Sequence, residues 1–165
     1  MSVSGQEARD WLGRPELDWD VSTPRSRLHD DIYYSPEDGL AEARFVFVEG
    51  IGGADFWQNR RHLVIGETGF GTGLNFLALW QAWNRTKRNG DRLTFISVEG
   101  YPLPRDTVAR AHANWPELSG LSEALVGKLP PPVPGFHAID PAPDVRLILL
   151  QGEAKAMLSQ LDAAV

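Results

Sequence analysis

The chain has 165 residues, a formal net charge of −6 and a hydrophobic fraction of 42%, which together predict one soluble globular domain. It contains no cysteine, which excludes a disulfide framework and a zinc–thiolate site, so that no metal site is predicted and a cytoplasmic location is expected. The negative charge excludes a general attraction to nucleic acid but not a local basic patch, and the absence of a long apolar run predicts no membrane contact.

The first part of the chain is predicted to precede the main fold. Residues 1–16 predict an irregular N-terminal arm, and residues 17–60 predict a small accessory β region. Within that region we expect three strands and then a short helix, at Leu17–Val21, Ile32–Tyr34, Ala41–Glu49 and Ala54–Asn59. The second of these strands is expected to pair with the third.

Residues 61–165 alternate between apolar runs of strand length and helical patterns. The predicted strands are Leu63–Gly66, Leu93–Val98 and Arg146–Leu150. The predicted helices are Leu74–Arg88, Pro104–Asn114, Leu121–Lys128 and Glu153–Leu161. This alternation predicts a parallel sheet with helices on both faces. The segment Leu129–Pro143 holds six prolines and is predicted to be an extended surface loop.

A glycine-rich turn joins the first predicted strand of this region to its helix. The pattern Glu67-Thr-Gly-Phe-Gly-Thr-Gly73 lacks the lysine of a phosphate-binding P-loop. It also has Leu74 where the dinucleotide fingerprint requires its last glycine. What remains, E-x-G-x-G-x-G, resembles motif I of the S-adenosylmethionine-dependent methyltransferases with a Rossmann-like sheet. The alternative is a glycine-rich turn without a ligand.

Acidic residues at two further strand ends favour a bound nucleoside. Glu99 ends the second predicted strand, where Rossmann-type folds place an acid that binds ribose hydroxyls. Gly152-Glu153 follows the third strand. The fold class predicted is therefore α/β, the N-terminal part of a Rossmann-like methyltransferase sheet preceded by a small accessory β region.

Several longer blocks resemble one family, the methyltransferase domain of MnmC, over about residues 17 to 165. The blocks are Asp30-Asp-Ile-Tyr-Tyr-Ser35, Gly39-Leu40, Glu42, Arg44-Phe-Val-Phe47, Glu67-Thr-Gly-Phe-Gly-Thr-Gly-Leu-Asn-Phe-Leu77, Phe95-Ile-Ser-Val-Glu99, Trp115-Pro-Glu-Leu118 and Gly152-Glu153.

The resemblance implies methylation of the 5-aminomethyl group of a wobble (2-thio)uridine in tRNA, with S-adenosylmethionine as the donor. It implies tRNA as a partner, together with a fused or separate FAD-dependent oxidoreductase. FAD belongs to that second domain, and no second glycine fingerprint is found in this chain. Two alternatives stay open: a non-catalytic S-adenosylmethionine-binding fragment, and a methyltransferase that acts on another substrate.

The family continues with a strand ending in Asp-Gly-Phe-Ala-Pro, whose aspartate is its main catalytic candidate. That stretch is not found before residue 165. The chain is therefore expected to be the N-terminal, cofactor-binding part of a catalytic domain.

The resemblance also implies site residues. The cofactor-binding residues are Glu67, Gly69, Gly71, Gly73, Asn75, Glu99, Tyr101, Gly152 and Glu153. The catalytic residues are Asp31, Tyr33 and Tyr34. The two tyrosines are expected to line the methyl-transfer pocket and stack on the uracil, or else to be packing residues of the accessory sheet. Ordinary surface or edge positions are expected for His62, His112 and His137, and helix packing for Trp80 and Trp83.

Overall fold

The computed structural model describes residues 12–13 and 15–161 of the chain, so most of the predicted N-terminal arm lies outside the described residues. The first strands form an antiparallel sheet of β1 (Leu17–Asp20), β2 (Thr23–Ser26) and β3 (Asp31–Ile32), in that order. The predicted first strand is confirmed. β3 pairs with β2, so the prediction that it pairs with residues 41–49 is wrong.

Residues 39–49 are helical, which corrects the strand predicted at Ala41–Glu49. Helix α1 (Gly39–Glu42) runs directly into π-helical turns over Ala43–Glu49. The Asp38 carboxylate begins α1 as an N-cap, accepting a hydrogen bond from the Ala41 N–H at 2.9 Å. The helical turns then bury Leu40, Ala43 and Val48 in the core. Short apolar runs do not distinguish a strand from a buried helix, and the tertiary contacts decide here.

A second, four-stranded sheet forms the centre of the molecule. Its strands are β4 (His62–Thr68), β5 (Arg92–Glu99), β6 (Gly135–Ala142) and β7 (Val145–Gln151). They lie in the order β4-β5-β7-β6, with β4, β5 and β7 parallel to one another and β6 antiparallel to β7. The three strands predicted for this region are confirmed.

Strand β6 corrects the surface loop predicted for Leu129–Pro143. Its register with β7 is regular from Gly135 to Ile139 and is broken between Ile139 and Ala142, where Pro141 lies. Proline cannot donate a ladder hydrogen bond, so it is tolerated only at an edge strand or an irregularity, and β6 offers both. The prolines had excluded a central strand correctly but did not exclude an edge strand.

The remaining helices confirm the predicted ones with shifted ends. They are α2 (Gly53–Trp57), α3 (Leu74–Thr86), α4 (Arg105–His112), α5 (Ser119–Val126) and α6 (Ala154–Leu158), with a 3-10 turn at Pro116–Leu118. A helix needs about 20 apolar residues to span a bilayer. None of those in the described part of the chain is long and apolar enough.

The central sheet is packed on both faces, as predicted. Phe95 and Leu147 point to the large core that contains Trp80 and Trp83 of α3, both of which are buried as expected. On the opposite face, Val98 and Leu150 pack with Met157 of α6. The alternation follows from the period of two along each strand.

The sheet determines where a ligand could bind. Because β4, β5 and β7 are parallel, their carboxyl ends lie at one edge. The glycine turn, Glu99 and Gly152 follow these three ends and meet there, at the place where open α/β sheets bind their ligands.

The core assignment makes one prediction about stability. Phe95 is 0% exposed and its ring centroid lies 5.2 Å from that of Phe76, so Phe95→Ala should lower the free energy of unfolding by about 3–5 kcal/mol. Phe45 is 76% exposed, and Phe45→Ala, the matched control, should change it by less than about 0.5 kcal/mol. Urea unfolding measures both. Equal losses in the two variants would contradict the assigned core.

Candidate functional site

The glycine turn forms an open backbone cradle between β4 and α3. Gly69, Gly71 and Gly73 have φ values of +85°, +54° and +78°, which side-chain-bearing residues rarely adopt. A Cβ at Gly69 would meet nothing within 4 Å, whereas one at Gly71 would lie 3.1 Å from the Tyr33 ring. The loop therefore leaves its backbone accessible at Gly69 and lies against Tyr33 at Gly71.

The Glu99 carboxylate ties this loop to the end of β5. It accepts hydrogen bonds from the Gly71 N–H at 2.8 Å and from the Tyr101 N–H at 2.7 Å. The Gly69 N–H donates to the Val98 carbonyl at 2.7 Å, which adds a backbone bond between the same two segments. Sequence reasoning placed Glu99 beside the ligand, and the structure brings its carboxylate onto the loop itself.

Glu67 provides a second carboxyl group at the start of the loop. Asn75 Nδ2 donates to it at 3.2 Å and Ser97 Oγ at 3.0 Å. Burial raises the pKa of Glu67 to about 7, and the negative charge of Glu99 adds to this while the two hydrogen bonds oppose it. The Glu67 carboxyl group therefore changes its charge near neutral pH.

A cavity of about 860 Å³ lies between the glycine loop and the accessory region. This volume is within the range of small-molecule sites. Eight of the predicted site residues line it: Asp31, Tyr33, Tyr34, Gly69, Gly71, Asn75, Glu99 and Tyr101. Four do not: Glu67, Gly73, Gly152 and Glu153.

The two adjacent tyrosines lie in different environments. Burial raises the pKa of Tyr33 to about 12, with a further contribution from the charge of Glu99, so its phenol keeps its proton at neutral pH. Tyr34 is 8% exposed, and its hydroxyl donates to the Ser22 carbonyl at 2.7 Å. Tyr34 also packs edge-on against Trp115, with ring centroids 4.8 Å apart. Its hydroxyl and ring thus hold the accessory region against the main fold.

Asp31 and Tyr101 also line the cavity, Asp31 from the accessory region and Tyr101 from the loop after β5. Asp31 is exposed, and one of its carboxylate oxygens accepts from the Ile32 N–H at 2.8 Å. The Tyr101 ring contacts Gly13 and meets His29 edge-on, with centroids 5.4 Å apart. His29 thus borders the cavity as well.

Gly152 and Glu153 follow β7 but lie outside the cavity. Gly152 has φ +154° and donates its N–H to the Glu99 carbonyl at 2.9 Å. Glu153 is exposed and caps α6, accepting from the Lys155 N–H at 3.0 Å and the Ala156 N–H at 2.7 Å. These two bonds hold the pKa of Glu153 below its usual range. The described contacts of Glu153 are therefore those of a helix cap.

His112 is a residue of the site that sequence reasoning missed. It was expected at the surface, but it is 3% exposed, and this prediction is wrong. Its Nε2 lies 2.8 Å from the Thr72 carbonyl in the glycine loop, and its Nδ1 lies 2.8 Å from Ser122 Oγ. Burial lowers the pKa of His112. A single histidine on a helix carries no sequence signal for such a contact, which arises only when α4 packs beside the loop.

Comparison with known proteins finds relatives that match most of this chain. The chain is 47% identical over 152 residues to the tRNA 5-methylaminomethyl-2-thiouridine biosynthesis bifunctional protein MnmC of Maricaulis maris, covering 91% of this chain and 26% of that protein. It is 46% identical over 156 residues to the protein of the same name in Magnetococcus marinus, covering 93% of this chain and 23% of that one. The predicted resemblance to MnmC is confirmed. The chain spans about a quarter of the length of these relatives. No protein-family model matches it.

A solved structure supports the fold. MNMC2 from Aquifex aeolicus superposes with a TM-score of 0.59 at 19% identity, covering 92% of this chain and 46% of that one. This likeness confirms the predicted fold class, a Rossmann-like methyltransferase sheet.

The raised pKa of Glu67 predicts how the stability of this chain depends on pH. A carboxyl group whose pKa is raised on folding holds its proton more tightly in the folded state, so its contribution to stability falls as pH rises from 4.5 to about 7. Glu67→Gln should remove that dependence, changing the stability difference from the wild type by at most about 3 kcal/mol between pH 5 and pH 8. Urea unfolding at both pH values measures the difference, in which the other titrating groups cancel. Parallel pH profiles in the two proteins would contradict the prediction.

Proposed function

We propose that this chain takes part in methylating the 5-aminomethyl group of a wobble (2-thio)uridine in tRNA, with S-adenosylmethionine as the donor, and that it supplies the cofactor-binding residues. The observation that carries the proposal is the identity of 46–47% with proteins named MnmC over nine-tenths of the chain. The cavity supports it, because it joins a glycine cradle to a wall of aromatic and acidic side chains.

The residues at the glycine loop fit S-adenosylmethionine. When bound, this cofactor supplies an electrophilic methyl carbon on a sulfonium. In the proposal, the backbone of Gly69, Gly71 and Gly73 contacts the methionine end of the cofactor. The Glu67 carboxylate, together with Asn75, binds the amino group of the cofactor. A carboxyl group with a pKa of about 7 suits this role, because a neighbouring ammonium stabilises its ionised form.

The nucleoside end of the cofactor is assigned to the ends of β5 and β7. Glu99 has lone pairs left after its two backbone bonds and is proposed to accept from the ribose hydroxyls. Tyr101 is placed beside the adenine ring. Gly152 and Glu153 stay predicted neighbours of the adenine, although Glu153 also has the capping contacts described above.

The accessory side of the cavity is assigned to the substrate. The attacking amine must be neutral, because an ammonium has no lone pair, and a group of the protein must accept the proton that leaves after transfer. Tyr33 holds its phenolic proton too tightly to be that base at neutral pH, and the Tyr34 hydroxyl donates to the Ser22 carbonyl. Of the three predicted catalytic residues, Asp31 is therefore assigned the role of proton acceptor. Tyr33 and Tyr34 then orient the uracil, and orientation is the main contribution of an enzyme to such a displacement.

The partners follow from the same proposal. We infer that the chain acts on tRNA in the cytoplasm and works with an FAD-dependent oxidoreductase, fused or separate, as the word bifunctional in its relatives' names suggests. FAD itself is assigned to that partner.

Cofactor binding is tested by a matched pair of glycine variants. Gly69 and Gly90 share a φ of +85° with open space around a Cβ, but only Gly69 lines the cavity. Both Gly→Ala changes should cost about 1 kcal/mol of stability through the same backbone strain. Calorimetric titration with S-adenosylmethionine should show affinity at least about tenfold weaker for Gly69→Ala only.

The controls separate the parts of this assignment. Equal cofactor affinities for Gly69→Ala and Gly90→Ala would reject the assignment of the glycine loop as the cofactor-binding cradle. A Glu99→Ala variant with unaltered affinity would reject the ribose role while leaving the cradle standing. A wild-type chain that binds no cofactor would reject the proposed function.

Catalysis is tested by transfer of labelled methyl to tRNA that carries a 5-aminomethyl wobble uridine, with unmodified tRNA as the control. Asp31→Asn should slow transfer by about 10² or more if the carboxylate takes the proton, while cofactor affinity stays unchanged. Cofactor binding without transfer would favour the non-catalytic alternative. Transfer to another acceptor alone would favour a different substrate.

A further inference from the structure

His112 makes two directed contacts from one buried position. Its ring lies between the Thr72 carbonyl and the Ser122 hydroxyl, each 2.8 Å from a ring nitrogen. The carbonyl can only accept, so Nε2 must carry the proton; in the neutral ring Nδ1 then accepts from Ser122. The histidine thus connects the glycine loop to α5, and its tautomer is fixed by its neighbours.

The carbonyl that His112 holds is at the centre of the cofactor cradle. Thr72 lies between Gly71 and Gly73, both at positive φ. Glycine-rich segments lose more conformational entropy on ordering than others, so such a loop depends on its anchors. Glu99 anchors it from β5 through the Gly71 N–H. His112 anchors it from α4, through a carbonyl on the other side of the turn.

Asn114, which follows the end of α4, also holds the accessory region. Asn114 Nδ2 donates to the Tyr34 hydroxyl at 3.0 Å and to the Ala111 carbonyl at 3.0 Å. The glycine loop and Tyr34, which both line the cavity, are therefore both fastened to residues 111–114.

We propose that His112 is a positioning residue that holds the Gly71–Gly73 loop in its ligand-binding conformation through the Thr72 carbonyl. It lies outside the residues that line the cavity and acts through the loop. Its effect on cofactor affinity rests on the proposed function, whereas its effect on the order of the loop does not.

Three substitutions separate the two contacts. A glutamine amide lies near the Nε2 position of histidine, so His112→Gln can still donate to Thr72. An asparagine amide lies near the Nδ1 position, so His112→Asn keeps the Ser122 contact alone, and His112→Leu keeps neither. The matched control is His137→Leu, because the exposed His137 also places Nε2 2.7 Å from a backbone carbonyl, that of Val133, but away from the cavity.

The first measurement is calorimetric titration of the full chain with S-adenosylmethionine. We expect affinity about tenfold weaker for His112→Asn and His112→Leu, and within about twofold of the wild type for His112→Gln and His137→Leu. A merely structural role would lower stability without this rescue by glutamine. If the leucine variant does not fold, the comparison of glutamine with asparagine decides alone.

The second measurement is amide hydrogen exchange in the ligand-free chain. Exchange at Gly71, Thr72 and Gly73 should accelerate in His112→Asn but not in His112→Gln, even if no cofactor binds. Unchanged exchange at these amides in the asparagine and leucine variants would overturn the inference. The inference would also be overturned if His112→Gln lost as much cofactor affinity as His112→Leu. Failure of the wild type to bind S-adenosylmethionine, with exchange as expected, would reject only the proposed function.

Discussion

Parallel pairing of β4 with β5 places the Glu99 carboxylate within hydrogen-bond distance of the glycine loop, and the geometry of the site depends on that contact. The loop would otherwise be three glycines in left-handed conformations with little to select among their many alternatives. The same register puts Ser97 opposite Glu67, where its hydroxyl bonds the second carboxyl group. Glu67 and Glu99 therefore both lie at the glycine loop, because β4 and β5 end at the same level of the sheet.

The accessory region and the glycine loop together line the cavity at this strand edge. The three short strands of the accessory region bury little apolar surface of their own, and a sheet of this size is marginal in isolation. It is held by Tyr34, whose hydroxyl bonds reach Ser22 and Asn114 and whose ring packs on Trp115. Arg110 of α4 adds a cation–π contact, 3.8 Å from the Trp19 ring centroid. Stability and cavity shape thus rest on the same contacts, so Tyr34 cannot be varied for one without the other.

Much of the main fold could be predicted from the sequence, because the relevant signals are local. The apolar runs of strand length, the alternating glycines and Glu99 are each recognised from a few neighbouring residues. The structure places each of them where the sequence predicted, with Glu99 at the end of β5. The errors have tertiary causes. Residues 43–49 are helical because Leu40, Ala43 and Val48 fit the core that way, and residues 135–142 form a strand because β7 offers an edge.

The candidate site shows the same division. The glycines and Glu99 belong to a contiguous motif or a known spacing, so sequence could place them together. His112 lies 40 residues from Thr72, and only the packing of α4 and α5 brings the two into contact. For Glu153 the structure adds a contact that the sequence did not predict, because its carboxylate accepts from the first N–H groups of α6. Its contact with a ligand stays a prediction.

Glu67 and His112 respond oppositely to pH, and this bears on how the loop could respond to a ligand. The raised pKa of Glu67 makes its stabilising contribution fall as pH rises toward 7. The lowered pKa of His112 makes its contribution fall as pH drops below 6.5, because the unfolded chain then binds a proton that the buried ring accepts less readily. Near neutral pH the histidine is neutral and holds Thr72, while Glu67 is divided between its two forms. Under the proposed function, a cofactor ammonium beside Glu67 would favour the carboxylate form. Binding would then release a proton. It would also remove the free-energy cost of ionising Glu67 in a loop that is already ordered.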